Sequence, residues 1–356
     1  MEGPRHCGLL RIYSKDEMYC STEAEDSKGQ AMSDASIETP ERGLKHYPVP
    51  LFGMVMGLAG LTLAMHAGES AYNMGSQIST VLYFFTFAVF LLISAGYIAK
   101  AVIHPGAVAA EWKHPVRLSF FPAIAISMLL LATATLERNA GLAEGMWLAG
   151  MVLQFLLTIA VVSNWIGTRS FQHGMLNPAW FIPAVGNVIV PIAGVPLGYV
   201  ELSWYFIAVG LIFWIVLLTL VINRLVFHDP MPGRLQPTLV ILIAPPAVAF
   251  LAWVRLNGGE IDAFGRILIN GAYLFTAIVL VQLPRILKLD FALSFWALSF
   301  PFAAATIASF RFAAVTGSDM HRLFGGVLLV ALSLIIAGLL LRTVKAAMDG
   351  KICIPE

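Results

Sequence analysis

The residues that most often catalyse reactions or bind metals are nearly absent from the apolar part of this sequence. All three cysteines lie in the terminal regions, so the apolar segments cannot hold a disulfide framework or a Cys-x-x-Cys metal site. The sequence has no HExxH, Walker-type or GxGxxG motif, which argues against metallohydrolase chemistry and ATP-driven transport. We therefore predict that the protein is not an enzyme and has no catalytic residue, metal site or cofactor.

The apolar segments instead contain a recurring pattern of proline and aromatic residues. Residues 293–309 read LSFWALSFPFAAATIAS, in which Pro301 lies between two phenylalanines and precedes three alanines. A proline in the interior of a helix removes a backbone hydrogen bond and clashes with the preceding turn, which costs about 3 kcal/mol. The pattern recurs along the chain, so it calls for a structural explanation.

The composition is that of a membrane protein. Hydrophobic residues make up 58% of the 356 residues and charged residues only 12%, whereas soluble domains carry about 25% charged residues. The polar first part, residues 1–46, predicts a disordered tail without a signal peptide. We predict a membrane domain over 47–347 and a short C-terminal tail over 348–356.

Ten stretches reach the roughly 20 apolar residues that a spanning helix needs. Short connections join them, which indicates sequential helical hairpins and an all-α fold. We number them from first to tenth span in chain order, at residues 48–67, 78–103, 115–136, 143–166, 178–199, 201–227, 235–256, 264–287, 290–313 and 322–347.

The basic residues predict the orientation of the spans. Thirteen Lys and Arg residues lie on the side of the N-terminus, from Arg42 through Arg169 to Lys351, without counting the distal tail. Only five lie on the opposite side, at Arg138, Arg255, Arg266, Arg311 and Arg322. The positive-inside rule therefore predicts that both termini are cytoplasmic, in agreement with an even number of spans.

Odd-numbered and even-numbered spans differ in composition. Four odd spans contain an interior proline, at intervals of 61, 62 and 56 residues, and the first span has Gly57 in its middle. The predicted kink residues are Pro122, Pro183, Pro245, Pro301 and Gly57. Even spans are bulky and mostly lack proline. Because small residues favour close helix contacts and broken helices need neighbours or a cavity, we predict an inner ring of kinked odd helices around a pore.

The predicted inner helices have almost no ionisable group away from their ends. This absence argues against a proton symporter based on carboxylates and against a cation filter. Small, aromatic and amide side chains remain, and the predicted lining residues are Phe52, Phe120, Asn187 and Ala304. Arg255 and Arg311 end inner helices on the side where basic residues are scarce, so we interpret them as mouth charges that favour anions.

Three motifs on these ten spans resemble one known family. The stretches YPVPLFGMVMGLAG, NPAWFIPAVGNVIVPIAG and FWALSFPFAAATIAS are similar to segments of the tellurite-resistance/dicarboxylate transporter family, over roughly residues 46–347. That family includes bacterial tellurite-resistance protein A and the plant guard-cell slow anion channels. The resemblance implies five helical hairpins in quasi-fivefold symmetry and a homotrimer in which each subunit has its own pore.

The resemblance also implies a gate. The family's pore-closing phenylalanine corresponds to Phe300, and a second gate aromatic corresponds to Phe121, with Phe120 as its neighbour. From the residues alone, Phe300 has a second interpretation, as one of 23 phenylalanines that pack between helices. A hydrophobic ring in a narrow pore would block ions by steric closure and dewetting.

Two functions follow as hypotheses. The first is a channel of the bacterial inner membrane for small monovalent anions such as chloride or nitrate, closed by Phe300. The alternative is a proton-coupled transporter of C4-dicarboxylates, sulfite or tellurite, for which His66 is a candidate titratable group. The expected partners are small inorganic or organic anions, the lipid bilayer and further copies of the chain, and not nucleic acid.

Overall fold

The computed structural model describes residues 43–167 and 173–354, and all structural statements below concern these ranges. The predicted tail over 1–46 lies outside them except for its last four residues, and Arg169 lies outside them too. The regular secondary structure of the described ranges is entirely helical and contains no strand, which confirms the all-α prediction.

Twelve α-helices follow one another in the described ranges. Most are long, and the three short ones are α3, α6 and α7. The helices are α1 Phe52–Ala71, α2 Gln77–Ile103, α3 Pro105–Lys113, α4 Pro122–Thr135, α5 Ala140–Gly167, α6 Phe181–Val185, α7 Val190–Gly194, α8 Val200–Phe227, α9 Ala244–Leu256, α10 Ala263–Ile286, α11 Ser299–Thr316 and α12 Asp319–Met348.

Nine helical segments among the described residues are long and apolar enough to cross a membrane, so the chain is a multi-pass membrane protein. The segment predicted as the fifth span is a series of short helical pieces over Pro178–Gly194. In this series two 3-10 turns alternate with α6 and α7, because Pro183 and Pro191 supply no N–H group to a continuous hydrogen-bond ladder. The total of ten spans stays a prediction.

Burial separates the odd spans from the even spans. In the four long odd spans, 67–83% of the apolar window is buried, against 22–33% in the five even spans. All residues of Pro178–Gly194 are buried except Ile182 and Ile192. The small-residue, proline-containing spans are thus the buried ones, and the bulky Leu- and Phe-rich spans face outward.

The five odd spans contact one another in cyclic order. The first span packs on the third, the third on the fifth, the fifth on the seventh and the seventh on the ninth. The ninth packs in turn on the first, and this contact between α1 and α11 is among the most extensive in the protein. Among the residues that the structure describes, this cycle encloses a central region that the five odd spans line.

Gly57 and Gly60 explain the close approach of α1 and α11. A Cβ atom at Gly57 would lie 2.7 Å from Ser299 Cβ, and one at Gly60 would lie 2.8 Å from Ala303 Cβ. Both distances are shorter than real side chains tolerate, so glycine is needed at each position. Because α1 runs without interruption from Phe52 to Ala71, Gly57 acts as a close-packing residue and not as the predicted kink.

Each odd span begins as a 3-10 helix and continues as an α-helix. Pro122 is the first residue of α4, Pro245 the second of α9 and Pro301 the third of α11. The first N–H groups of an α-helix have no partner within that helix, so a proline there removes no i→i−4 bond of the α-helix, although it donates none to the 3-10 turn before it. The prolines therefore mark where α-helical geometry starts, and the change of helix type replaces a kink in mid-helix.

A buried ion pair fixes the beginning of the first span. Lys100 Nζ lies 2.7 Å from Glu111 Oε2 and donates a hydrogen bond of 2.7 Å to the carbonyl oxygen of Tyr47. Glu111 also accepts hydrogen bonds from the Tyr97 hydroxyl and the Val49 backbone. Both charged side chains are almost fully buried, at 1% and 4% exposure. The pair thus ties α2, α3 and the start of the first span together.

Candidate functional site

Two cavities lie among the odd spans. The first cavity, of about 70 Å³, lies among the beginnings of all five odd spans, and Pro50, Phe120, Phe181, Ile241 and Leu293 are members of its lining. The second cavity, of about 300 Å³, lies among their ends, and His66, Thr133, Ile192, Arg255 and Arg311 are members of its lining. The two cavities therefore occupy successive levels of the region that the odd spans enclose.

Phe300 and Val248 lie between the two cavities, since both side chains line the first and the second. Phe300 is the second residue of α11, where the ninth span changes from 3-10 to α-helical geometry, and its side chain is 9% exposed. The ring packs beside the first span, where a Cβ atom at Gly60 would lie 3.4 Å from Phe300 Cδ2. Two apolar side chains thus separate the two spaces.

Several sequence-predicted residues belong to these linings. Pro245, Pro301 and Phe120 line the first cavity, while Ala304, Arg255 and Arg311 line the second. Ala304 lies three residues after Pro301, and Val248 lies three residues after Pro245. The sequence analysis did not identify Val248. Its position about one helical turn after Pro245 matches that of Ala304 after Pro301, so this shared spacing could have predicted it.

Phe52 and Phe121 point away from the two cavities. The Phe52 ring lies edge-on to Tyr97, with 5.9 Å between ring centroids, and the Phe121 ring lies edge-on to Trp112, with 5.0 Å. Neither residue lines either cavity. Both rings pack toward α2 and α3, where they help to hold the first and third spans against their outer neighbours.

Asn187 faces the outer helix α5 instead of the centre. Its Nδ2 donates hydrogen bonds to Thr158 Oγ1 at 3.0 Å and to the carbonyl oxygen of Ala184 at 2.7 Å. The side chain is 1% exposed and lines neither cavity. Pro122 and Pro183 also lie outside the cavity linings, within helix starts that support the central residues.

The charges at the two cavities are of one sign. The described residues that line them include no Asp or Glu, whereas the second cavity has Arg255, Arg311 and the imidazole of His66. One carboxylate lies nearby, since Glu137 Oε2 is 3.2 Å from His66 Nε2 and its side chain is 75% exposed. Such a lining attracts anions and repels cations.

Comparison with known proteins gives one family. A family model described as "SLAC1: Voltage-dependent anion channel" matches residues 46–344. The S-type anion channel SLAH3 of Arabidopsis thaliana is 29% identical over 309 residues, which cover 85% of this chain and 48% of the relative. The guard cell S-type anion channel SLAC1 of the same plant is 26% identical over 280 residues, 76% of this chain and 50% of the relative.

A bacterial relative matches over most of its length. The tellurite resistance protein TehA homolog of Haemophilus influenzae is 30% identical over 264 residues, which cover 73% of this chain and 80% of the relative. The chain spans about half the length of the plant channels SLAH3 and SLAC1. These relatives are named as channels or as a resistance protein and not as enzymes.

Proposed function

Because the chain belongs to the SLAC1 voltage-dependent anion channel family, we propose that it conducts anions through the centre of its five odd spans and that Phe300 closes this path. One observation carries the proposal: the five spans enclose two cavities, and the Phe300 ring lines both. Anion conduction then requires that this ring move out of the space between them.

The closing mechanism is a hydrophobic constriction. Phe300 and Val248 offer no polar atom that could replace the water around an ion, so an ion that passed between them would lose hydration without compensation. A change of the Phe300 rotamer opens the path, at an energy set by its packing beside Gly60. On the third span we assign the neighbouring aromatic to Phe120, because it lines the first cavity and Phe121 does not.

Anion selectivity follows from charge and from the lack of ligands. Arg255 and Arg311 raise the local concentration of anions in the second cavity. The first cavity is lined almost only by apolar side chains, so the cost of dehydration ranks the anions there. We propose small monovalent anions, such as chloride or nitrate, as the permeant ions.

The arrangement in the membrane is part of the same proposal. The excess of Lys and Arg on the side of the termini supports cytoplasmic N- and C-termini in a plasma membrane. The exposed apolar faces of the even spans suit contact with lipid and with two further subunits of a homotrimer. We propose ten spans in quasi-fivefold order as the channel domain, over 47–347, with tails over 1–46 and 348–356.

The test is electrical recording of Phe300→Ala. We expect wild-type protein in planar bilayers with symmetric chloride to be nearly silent and Phe300→Ala to carry a large current. When the chloride concentrations on the two sides are then made unequal, the reversal potential of this current should follow the chloride gradient. Phe302→Ala is the matched control, because Phe302 is buried on the other side of Pro301 and lines neither cavity. A silent Phe300→Ala protein of normal folding would contradict the proposal.

A coupled transporter is the second candidate, and the pair of His66 and Glu137 favours it. The two side chains are 3.2 Å apart at the second cavity, where His66 is titratable and contacts the proposed path. Saturable uptake of labelled malate that depends on a pH gradient, and that is lost in His66→Gln, would support this function. A reversal potential that ignores the pH gradient supports the channel.

A further inference from the structure

A third cavity, of about 330 Å³, lies on the outer side of the odd spans. It is bounded by the end of α8, by the 3-10 helix Gly233–Ile243 that begins the seventh span, and by the second half of α10. It shares no lining residue with the first or the second cavity. Ile222 on α8 and Ile278 on α10 line it and are 39% and 44% exposed, so the space is an outward-facing groove.

The groove exists because the two outer helices pack differently on the seventh span. α10 contacts both the 3-10 helix and α9, whereas α8 contacts α9 and has little contact with the 3-10 helix. A 3-10 helix is tighter than an α-helix, so it fills less of the space between its neighbours. Hydrogen bonds hold the wall opposite α10: the Arg224 guanidinium group donates to the carbonyl oxygen of Asp229, and Gln236 Nε2 donates to that of Met231 at 3.3 Å.

The α10 wall of the groove is one continuous stripe. Its members follow one another at helical spacing, and they are Phe275, Ile278, Val279, Gln282 and Arg285. From Phe275 to Arg285 an α-helix rises by about 15 Å. The hydrocarbon core of a bilayer is about 30 Å thick, so the groove is about as long as one leaflet is deep.

The lining of the groove changes from apolar to polar along this length. Leu242 and Phe275 lie at the deep end, whereas Gln282 and Arg285 lie at the end where α10 finishes. The described residues of the lining include no Asp or Glu. Arg285 is exposed, and within the part of the chain that the structure describes its guanidinium group has no hydrogen bond or ion pair. An apolar groove that ends at an unpaired cation matches the acyl chain and phosphate of an anionic lipid.

Arg285 by itself has a simpler explanation. It lies in the last turn of α10, where a cation interacts favourably with the helix dipole, and on the side where basic residues are concentrated. Neither reason accounts for the groove of one leaflet's depth that runs toward it. Water in the apolar part of this groove would find too few polar partners, so the acyl chains of the surrounding bilayer are the available occupant.

We propose that the groove binds one anionic phospholipid of the leaflet on the side of the termini, with an acyl chain between α8 and α10 and the phosphate on Arg285. The guanidinium group offers two parallel N–H donors to the phosphate oxygens. Leu239 and Leu242 of the 3-10 helix contact the chain, while Ile241 of the same helix lines the first cavity. The lipid therefore packs on the outer face of a segment whose inner face borders the centre. This site does not depend on anion conduction or on closure by Phe300.

Lipid retention by the full-length protein tests the charge at the mouth of the groove. Purified protein in detergent is mixed with phosphatidylglycerol or with phosphatidylcholine of the same chain length, and the bound lipids are counted by native mass spectrometry. We expect the first phosphatidylglycerol to bind more tightly than phosphatidylcholine, with a dissociation constant raised about 10- to 100-fold in Arg285→Gln. Arg342→Gln is the charge-matched control, because exposed Arg342 on α12 lies over the Phe295 ring and lines none of the three cavities.

Filling the groove tests the place of the acyl chain. Ile278→Trp puts a larger side chain into the groove, so the tightly bound lipid should be lost whichever headgroup it has. Leu334→Trp is the matched control, because Leu334 on α12 is 70% exposed and lines none of the three cavities. Phosphatidylglycerol should also raise the midpoint of thermal unfolding of the wild type, whereas glycerol phosphate without acyl chains should not.

Three results would overturn the proposal. Phosphatidylglycerol binding that is unchanged in Arg285→Gln removes the phosphate site. Stabilisation by glycerol phosphate equal to that by the lipid makes the site one for a free phosphate. Lipid retention that is unchanged in Ile278→Trp, together with a changed number of chains per particle, makes the groove a contact between copies of the chain. Because Arg285 and Ile278 are exposed, both variants should unfold without lipid at the midpoint of the wild type.

Discussion

Removal of the Lys100 ammonium should strongly destabilise the protein, because it would leave a buried charge without its partner. Lys100→Met has a similar length but no charge, and Glu111 would keep only the hydrogen bonds from Tyr97 and Val49. The Glu111 side chain is 4% exposed, so water cannot solvate its carboxylate. Breaking one side of a buried ion pair typically costs about 3–5 kcal/mol, and we expect a loss in this range.

The free energy of unfolding in mixed micelles, measured for single and double variants, checks this prediction. Lys100→Met combined with Glu111→Gln removes both charges, so the double variant should recover part of the loss, with a coupling energy of about 1–3 kcal/mol. Lys113→Met is the control: this lysine at the end of α3 is exposed, and we expect a change within about 0.5 kcal/mol. Lys100→Met as stable as this control would refute the reasoning.

Two further variants test the packing around the path. Gly57→Ala should destabilise the protein by about 1–3 kcal/mol, because its Cβ atom would overlap Ser299, and Ser299→Gly in the same chain should restore most of the loss in thermal unfolding. Asn187→Ala should lose about 1–3 kcal/mol because its bonds to Thr158 and Ala184 disappear, whereas anion selectivity measured in the Phe300→Ala background should not change.

Each of these variants has a result that contradicts its structural basis. If Ser299→Gly leaves the Gly57→Ala loss untouched, the first and ninth spans do not touch where the structure places them. If Asn187→Ala alters the permeability ratio of nitrate to chloride, the amide faces the path and not α5.

Much of the fold follows from the sequence because its signals are local. Hydropathy and length identify the apolar segments, and short connections require neighbouring segments to be antiparallel. The alternation of buried and exposed spans is equally readable: Pro122, Pro245 and Pro301 cannot continue a hydrogen-bond ladder, and small residues permit close packing, whereas bulky side chains suit lipid. The proline pattern does not reveal that the prolines start α-helical segments after 3-10 turns.

The lining of the centre depends on the rotation of each helix, which sequence does not encode here. An inner helix is buried on all sides, so its sequence has no polar face that would indicate which side lines the centre. Sequence reasoning therefore places Phe52, Phe121 and Asn187 at the centre, although they face outer helices. Phe120 ends the 3-10 helix that begins the third span, and successive residues of a 3-10 helix differ by about 120° around the axis. Phe120 therefore lines the first cavity while its neighbour Phe121 faces outward.

Composition, hydropathy and motifs are enough to establish a multi-pass helical membrane protein, its alternation of helix types and the family to which it is similar. Tertiary packing alone puts Phe300 and Val248 between two cavities and brings Arg255, Arg311 and His66 together in one of them. These residues come from the first, seventh and ninth spans, which are tens to hundreds of positions apart in the chain. Only close contacts between helices, such as those of the α1 glycines against α11, set the rotation of each helix and so the side chains that meet at the centre.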